Sequence, residues 1–196
     1  MTRLTFTENG VTPFQCHLHC DQCAYTALSG ARCRRRVCFG TPVCWQHTVK
    51  EFGIKSKGST LPNAGRGLFA VKDFQRWDWI CPYVGEAVTD QCLTLRYGPG
   101  TAPYAVDADN GALDSACLRG IGSLANGLFT VNGNSRAERF HNAHIWYNPA
   151  DRQVWLRAIR RIRAGDEVFV YYGNQYQLTN NTHSTSRRQV PDTRPC

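Results

Sequence analysis

Six cysteines fall within the 29 residues from Cys16 to Cys44 of a 196-residue chain, and this cluster most limits how the N-terminal quarter can fold. Their spacing is Cys16-x3-Cys20-x2-Cys23-x9-Cys33-x4-Cys38-x5-Cys44-x2-His47. The segment lacks a long apolar period, so it cannot bury enough surface to hold itself together without a cross-link. The first ten residues, MTRLTFTENG, carry no apolar stretch and no cleavage signature, so an intracellular, reducing compartment is the expectation. Disulfides are disfavoured there, which leaves a metal. A tetrahedral zinc takes four thiolate or imidazole ligands, commonly paired two to five residues apart. Cys44 and His47 make one such pair, and its partner is either Cys23 with Cys33 or Cys33 with Cys38. Together with His17, His19 and His47, the six cysteines give nine candidate ligands, enough for two sites. Buried free thiols are the competing reading, and the density of the cluster argues against it.

Composition bounds the remainder. Hydrophobic residues make up 42% and charged residues 19%, which excludes a fully disordered or collagen-like chain. No apolar run approaches the roughly 18 residues needed to cross a bilayer, so no membrane is expected. Residues 1–60 carry a net charge of +5, 61–176 a net +1 and 177–196 a net +2. The basic character therefore sits at the two ends of a nearly neutral body. Three zones follow: a Cys/His zinc module over 1–50, a folded domain over 51–176, and a polar, basic and flexible tail over 177–196. The middle zone alternates short apolar runs with turn signals (GLFAVKDF, WICPYVGEAV, YAVDAD, HIWYNPADRQVWLRAI, GDEVFVYY) and is expected to be mainly β. Ile145–Tyr147 and Val154–Leu156 read as a hairpin turning at Asn148-Pro149. Only about 89–97 reads as helix.

The segment CAYTALSGARCRRRVCFGTPVCWQH resembles a short Cys/His module found beside catalytic domains in some protist and viral proteins. The shared positions are Cys23, Thr26, Gly30, Cys33, Cys44, Trp45 and His47. That resemblance implies Cys23, Cys33, Cys44 and His47 as the zinc ligands, with Cys38 as the substitute. Arg32, Arg34, Arg35 and Arg36 interleave with them, so the folded knuckle would be cationic, suited to nucleic-acid phosphate or an acidic protein.

Three motifs in the middle zone occur in order: Gly65-Arg66-Gly67-Leu68-Phe69-Ala70, Tyr83-Val84-Gly85-Glu86, and Ala158-Ile159-Arg160 leading through Ala164-Gly165-Asp166-Glu167 to Tyr171-Tyr172-Gly173. Over roughly 53–176 they resemble the SET-domain lysine methyltransferases. The resemblance implies a fold of small curved β-sheets with a C-terminal pseudoknot, S-adenosylmethionine as methyl donor, and a protein lysine as acceptor entering from the opposite face. Carried over residue by residue, it implies Tyr172 and Tyr104 as catalytic: Tyr172 orients the amine and Tyr104 walls the lysine channel. It implies Gly65, Arg66, Gly67, Asn126, Asn142 and Tyr172 as donor-binding residues. The family's Asn-His step is altered, because Asn126 is followed by Gly127 and about fourteen loop-like residues precede His141-Asn142. The three-cysteine module that usually follows the domain is missing, since only Cys196 lies beyond Gly173. The tail, the 127–140 loop or a partner must then close the channel. Val170 stands where the family often carries Phe or Tyr, and its smaller size suggests room for a di- or trimethylated product. The expected activity is protein-lysine N-methylation, with histone the commonest family substrate and the nucleus the expected location ahead of the cytoplasm. The rival reading, raised by Gly127, is a SET-like scaffold that no longer catalyses and serves as a zinc-dependent chromatin, nucleic-acid or protein adaptor.

Overall fold

The computed structural model describes residues 3–5, 15–17, 21–37, 42–97, 102, 104–108, 111–116, 118, 120–128 and 140–172. The expected tail at 177–196, Cys20, Cys38 and most of the 127–140 loop lie outside them. The first strands are short: β1 (Arg3–Thr5) pairs with β2 (Gln15–His17), and β3 (Asp21–Gln22) with β4 (Arg36–Val37), both antiparallel. An eight-residue helix, α1 (Trp45–Phe52), begins immediately after Cys44. It ends at Gly53, whose φ of 69° is left-handed and whose N–H closes on the Val49 carbonyl at 3.0 Å. Helix was expected only near 89–97. The buried Cys44, which caps α1, and Thr48 within it recur four residues apart on one face, but three charged or amide residues hide that period in the sequence. The expected division after residue 50 falls inside this helix.

The domain that follows contains β5 (Ile54–Gly58), β6 (Arg66–Ala70), β7 (Trp79–Pro82), β8 (Glu86–Val88), α2 (Asp90–Tyr97), β9 (Ala105–Ala108), β10 (Gly111–Asp114), β11 (Asn126–Gly127), β12 (Ala143–Asn148), β13 (Gln153–Ala158) and β14 (Glu167–Tyr171). The expected hairpin is β12 and β13, with Tyr147 opposite Val154. Among the described residues the largest sheet runs β5-β6-β14-β12-β13-β7, and β11 joins it on β14. A second sheet has the order β8-β10-β9.

Strand β14 makes this architecture. It runs antiparallel to β6 but parallel to β11 and β12, with both Gly127 and Ala143 in register with Val170. Three chain segments far apart in sequence therefore meet on one strand. Their inward side chains, including Leu68, Val168, Val170 and Leu156, are fully buried in one core. A smaller core of Cys23, Val37, Val43 and Cys44 lies in the N-terminal module, and Phe52 packs against both. Phe52 also meets the Trp155 ring edge-on at 6.4 Å.

The second sheet is braced by charge. Asp114 is fully buried and accepts from the Arg96 guanidinium at 2.7 Å, the Tyr97 hydroxyl at 3.0 Å and the Ala116 N–H at 2.9 Å. Arg96 also pairs with Glu86 at 2.8 Å. Burial alone would lower the Arg96 pKa, but hydrogen bonds to Asp114 and Glu86 raise it above its ordinary value. These contacts fasten α2 to β10 and β8. Asp114→Ala would remove one of the two carboxylates paired with the buried Arg96 guanidinium, and breaking a buried pair costs about 3–5 kcal/mol. The expected result in urea unfolding is a loss of that order, and a variant as stable as wild type would show that Arg96 finds water instead.

Candidate functional site

The middle-zone site is organised around one carboxylate. Glu167 opens β14 and is only 5% exposed. It accepts hydrogen bonds from Ser59 Oγ at 2.7 Å, Thr60 N–H at 2.7 Å, Thr60 Oγ1 at 2.5 Å and Asn126 Nδ2 at 3.2 Å. Asn126 Nδ2 also reaches the Arg66 carbonyl at 3.1 Å. Burial would raise the Glu167 pKa, but these donors hold it below the ordinary carboxylate value.

The two glycines of the Gly65-Arg66-Gly67 step serve different ends. Gly65 has a φ of 66°, a left-handed turn conformation with open space around it. Gly67 is needed for close approach, because a Cβ there would strike the Glu167 carboxylate. The Arg66 side chain turns aside to Ser56, donating to its Oγ at 2.9 Å and its carbonyl at 2.8 Å. What Arg66 offers towards Asn126 is therefore its main chain.

Tyr172 donates its hydroxyl to the Ala125 carbonyl, one residue before Asn126. Residues 65–67, Asn126 and Tyr172 are thus joined through hydrogen bonds into one constellation. Asn142 plays another part: its Nδ2 donates to the Glu167 carbonyl at 2.8 Å and its Oδ1 accepts the Phe169 N–H at 2.8 Å. Both ends of that amide clamp β14. Tyr104 lies at the start of β9 in the second sheet, and its carbonyl accepts the Tyr83 hydroxyl and the Ser115 N–H, each at 2.9 Å. Val170 is fully buried in the core, so its size is set by packing.

Sequence reasoning passed over Ser59, Thr60, Glu167 and His141. Glu167 lies inside a motif already singled out. Ser59 and Thr60 carry only the weak signal of two hydroxyls six residues ahead of the glycine step. His141 is the more informative omission. Its ring is 3% exposed, its Nε2 accepts the Leu128 N–H at 3.0 Å, and it meets Tyr171 edge-on at 5.6 Å. A histidine thus reaches the strand at Gly127 from fourteen residues downstream. Tyr171 lies against both His141 and His144, the latter at 5.7 Å, which accounts for an aromatic residue there.

In the N-terminal module the structure brings together Cys23, Cys33, Cys44 and His47, with one ligand atom of each within 4.8 Å of every other. His47 Nδ1 lies 3.5 Å from Cys23 Sγ and 3.3 Å from Cys44 Sγ. Bonds of ordinary length in a tetrahedral zinc site would set such N–S edges near about 3.6 Å, so the donor set fits zinc. Cys44 is buried, which opposes its ionisation, yet main-chain N–H groups of His47 and Gln46 at the start of α1 bring its pKa below the usual thiol value. The Cys44 N–H donates to Cys23 Sγ at 3.2 Å, and Tyr25 stacks on His47 at 3.8 Å, fixing the ring. Arg32 is part of the frame, donating to the Cys23 and Gln22 carbonyls at 3.0 Å each.

Two outcomes are expected. Glu167 has a folded pKa below its unfolded one, so its stabilisation is present above the unfolded value of about 4.3 and lost as pH falls through the folded value. Glu167→Gln should flatten the acid limb of a stability-against-pH curve; an unchanged limb would remove the carboxylate from this role. Elemental analysis should find about one zinc per chain. Cys44→Ser should lose it and alter Trp155 fluorescence through Phe52, while metal-free wild-type protein prepared without chelator would refute the site.

Residues 65–173 match the SET domain family model, which is more than half of the 196 residues. Among proteins with curated descriptions, none matches. Solved structures similar to the chain include the methyltransferase domain of human PR domain-containing protein 2, at 14% identity and a TM-score of 0.46, over 68% of this chain and 86% of that one. Another is a humanized mutant of the Chaetomium thermophilum Polycomb Repressive Complex 2 bound to the inhibitor GSK126, at 22% identity and a TM-score of 0.47. There the match covers 63% of this chain and 15% of that one. With the glycine step, Asn126 and Tyr172, the residue after β14, joined beside a mainly β core, the chain belongs to the SET domain family.

Proposed function

We propose that this protein is an S-adenosylmethionine-dependent protein-lysine N-methyltransferase, with its zinc module serving substrate engagement. The observation that carries the reading is the hydrogen-bonded chain from the Arg66 carbonyl through Asn126 and the Ala125 carbonyl to the Tyr172 hydroxyl. It links the glycine step to the tyrosine at the end of β14. S-adenosylmethionine, when bound, supplies a methyl group activated by a sulfonium cation. The main chain of Gly65–Gly67, together with Asn126, would hold that donor, while Asn142 keeps β14 in register beneath it.

A lysine amine has a pKa near about 10.4 and must be neutral to act as nucleophile. A channel walled by Tyr104 and Tyr172 would favour the neutral form by excluding water. The Tyr172 hydroxyl, already anchored on the Ala125 carbonyl, would orient the amine lone pair. Histone is the proposed substrate and the nucleus the proposed location. Arg34 and Arg35 directly follow the metal ligand Cys33 and are exposed, which suits recruitment of an acidic or nucleic-acid-bound target. No helix among the described residues is long and apolar enough to cross a membrane. Gly127 favours a second reading, a SET scaffold that binds partners without catalysis.

Titration calorimetry with S-adenosylmethionine separates the two. Micromolar binding is expected, and no heat at millimolar donor would end the enzyme reading. With histones as acceptors, Tyr172→Phe should lower kcat by on the order of a hundredfold while donor affinity holds, since the lost contact acts in the transition state. Wild-type turnover in that variant would move the role to another residue.

A further inference from the structure

The outer face of the β12-β13-β7 part of the large sheet is aromatic. Val154, Leu156 and Ala158 point into the core, so Trp155 and Arg157 face outwards. Trp146 stands opposite Trp155, and Trp79 opposite Arg157, on the flanking strands. Trp77, Trp79 and Trp146 are 45%, 37% and 46% exposed. The Arg157 guanidinium carbon lies 5.3, 4.6 and 5.7 Å from those three ring centres, and Arg76 covers Trp77 at 4.4 Å.

Trp77 also adopts a φ of 78°, an outlier for so bulky a side chain. Its N–H donates to the Ala158 carbonyl at 2.8 Å and its carbonyl accepts Arg157 Nε at 2.9 Å, which holds the conformation. Strain of this kind costs about 1–3 kcal/mol. Here it delivers an indole to solvent, so core packing does not account for it.

Two carboxylates close by in sequence each accept a local N–H. Asp78 accepts the Gln75 N–H at 2.7 Å, and Asp151 accepts the Trp155 indole N–H at 3.0 Å. The face therefore offers flat indoles and guanidinium groups on a chain of net charge +8.

We propose that this face binds single-stranded nucleic acid, with bases stacking on Trp79 and Trp146 and phosphates held by Arg76 and Arg157. Stacking platforms edged by cations bind single strands because every unpaired base exposes a π-face and every linkage a charge. A duplex keeps its bases stacked inside and gains only the charge. An acidic peptide would use the guanidinium groups and leave three exposed indoles without a purpose. The same pairing recurs in the zinc module, where Arg35 lies 5.6 Å over the 69%-exposed Trp45.

The test is fluorescence anisotropy of the full chain with labelled DNA and RNA oligonucleotides of about 12 nucleotides. Single strands of one or both kinds should bind, more tightly at about 50 mM than at about 200 mM salt. A Trp79→Ala, Trp146→Ala double variant should bind at least about tenfold more weakly with melting temperature unchanged. Should the double variant melt early, Trp146→Ala alone is read in the same way. Equal affinity for variant and wild type would overturn the proposal, as would equal affinity for the duplex. Displacement of the oligonucleotide by polyglutamate at matched charge would also overturn it, and assign the face to an acidic protein.

Discussion

A single buried carboxylate fixes where the rest of the site can be. Glu167 accepts from the 59–60 turn and from Asn126, and it stands so close to Gly67 that no side chain fits there. The turn before β6, the short strand β11 and the start of β14 are consequently one unit. Removing the acceptor takes the carboxylate away from the Ser59 and Thr60 donors and loosens Asn126, a larger penalty than the net worth of any one bond.

Much of this order was readable from residues. The outward Trp155 and inward Val154 and Leu156 follow strict alternation, so β13 and its hairpin partner were legible, and so was α2 near 89–97. The Cys44-x2-His47 pair pointed to a metal, and the Gly-x-Gly and Tyr-Gly motifs pointed to the family. What stayed hidden depends on distance. β5, with the sequence Ile-Lys-Ser-Lys-Gly, has no apolar alternation, and it is a strand because β6 pairs with its whole length. The two-residue β11 carries no pattern at all and exists because β14 pairs with Asn126 and Gly127. The clamp of the Asn142 amide on β14 has no signal in the sequence and is revealed only by the tertiary register.

The zinc module and the domain share a side chain. Phe52 ends the helix that begins at Cys44, and it contributes to both cores while touching Trp155. The Cys/His cluster and the packing of the sheet are linked through two turns of helix. The length of α1 is fixed by a glycine cap, so the link is stiff. The expected boundary at residue 50 falls within this helix, whose last residue packs against both cores.

The His141 ring has a consequence for how this chain can change. Its bond to Leu128 ties one end of the intervening segment, and the Asn142 clamp on β14 ties the other. Strand β14 is thus held by contacts of two described residues, His141 and Asn142. Doubling the length of a flexible loop between fixed ends adds only about 0.6 kcal/mol of closure entropy. A change in the number of residues between these two anchors is therefore one that the anchors themselves can absorb at small cost. A histidine far along the chain would then have exchanged a place in a motif for the role of a hinge pin, leaving the adjoining segment open to variation.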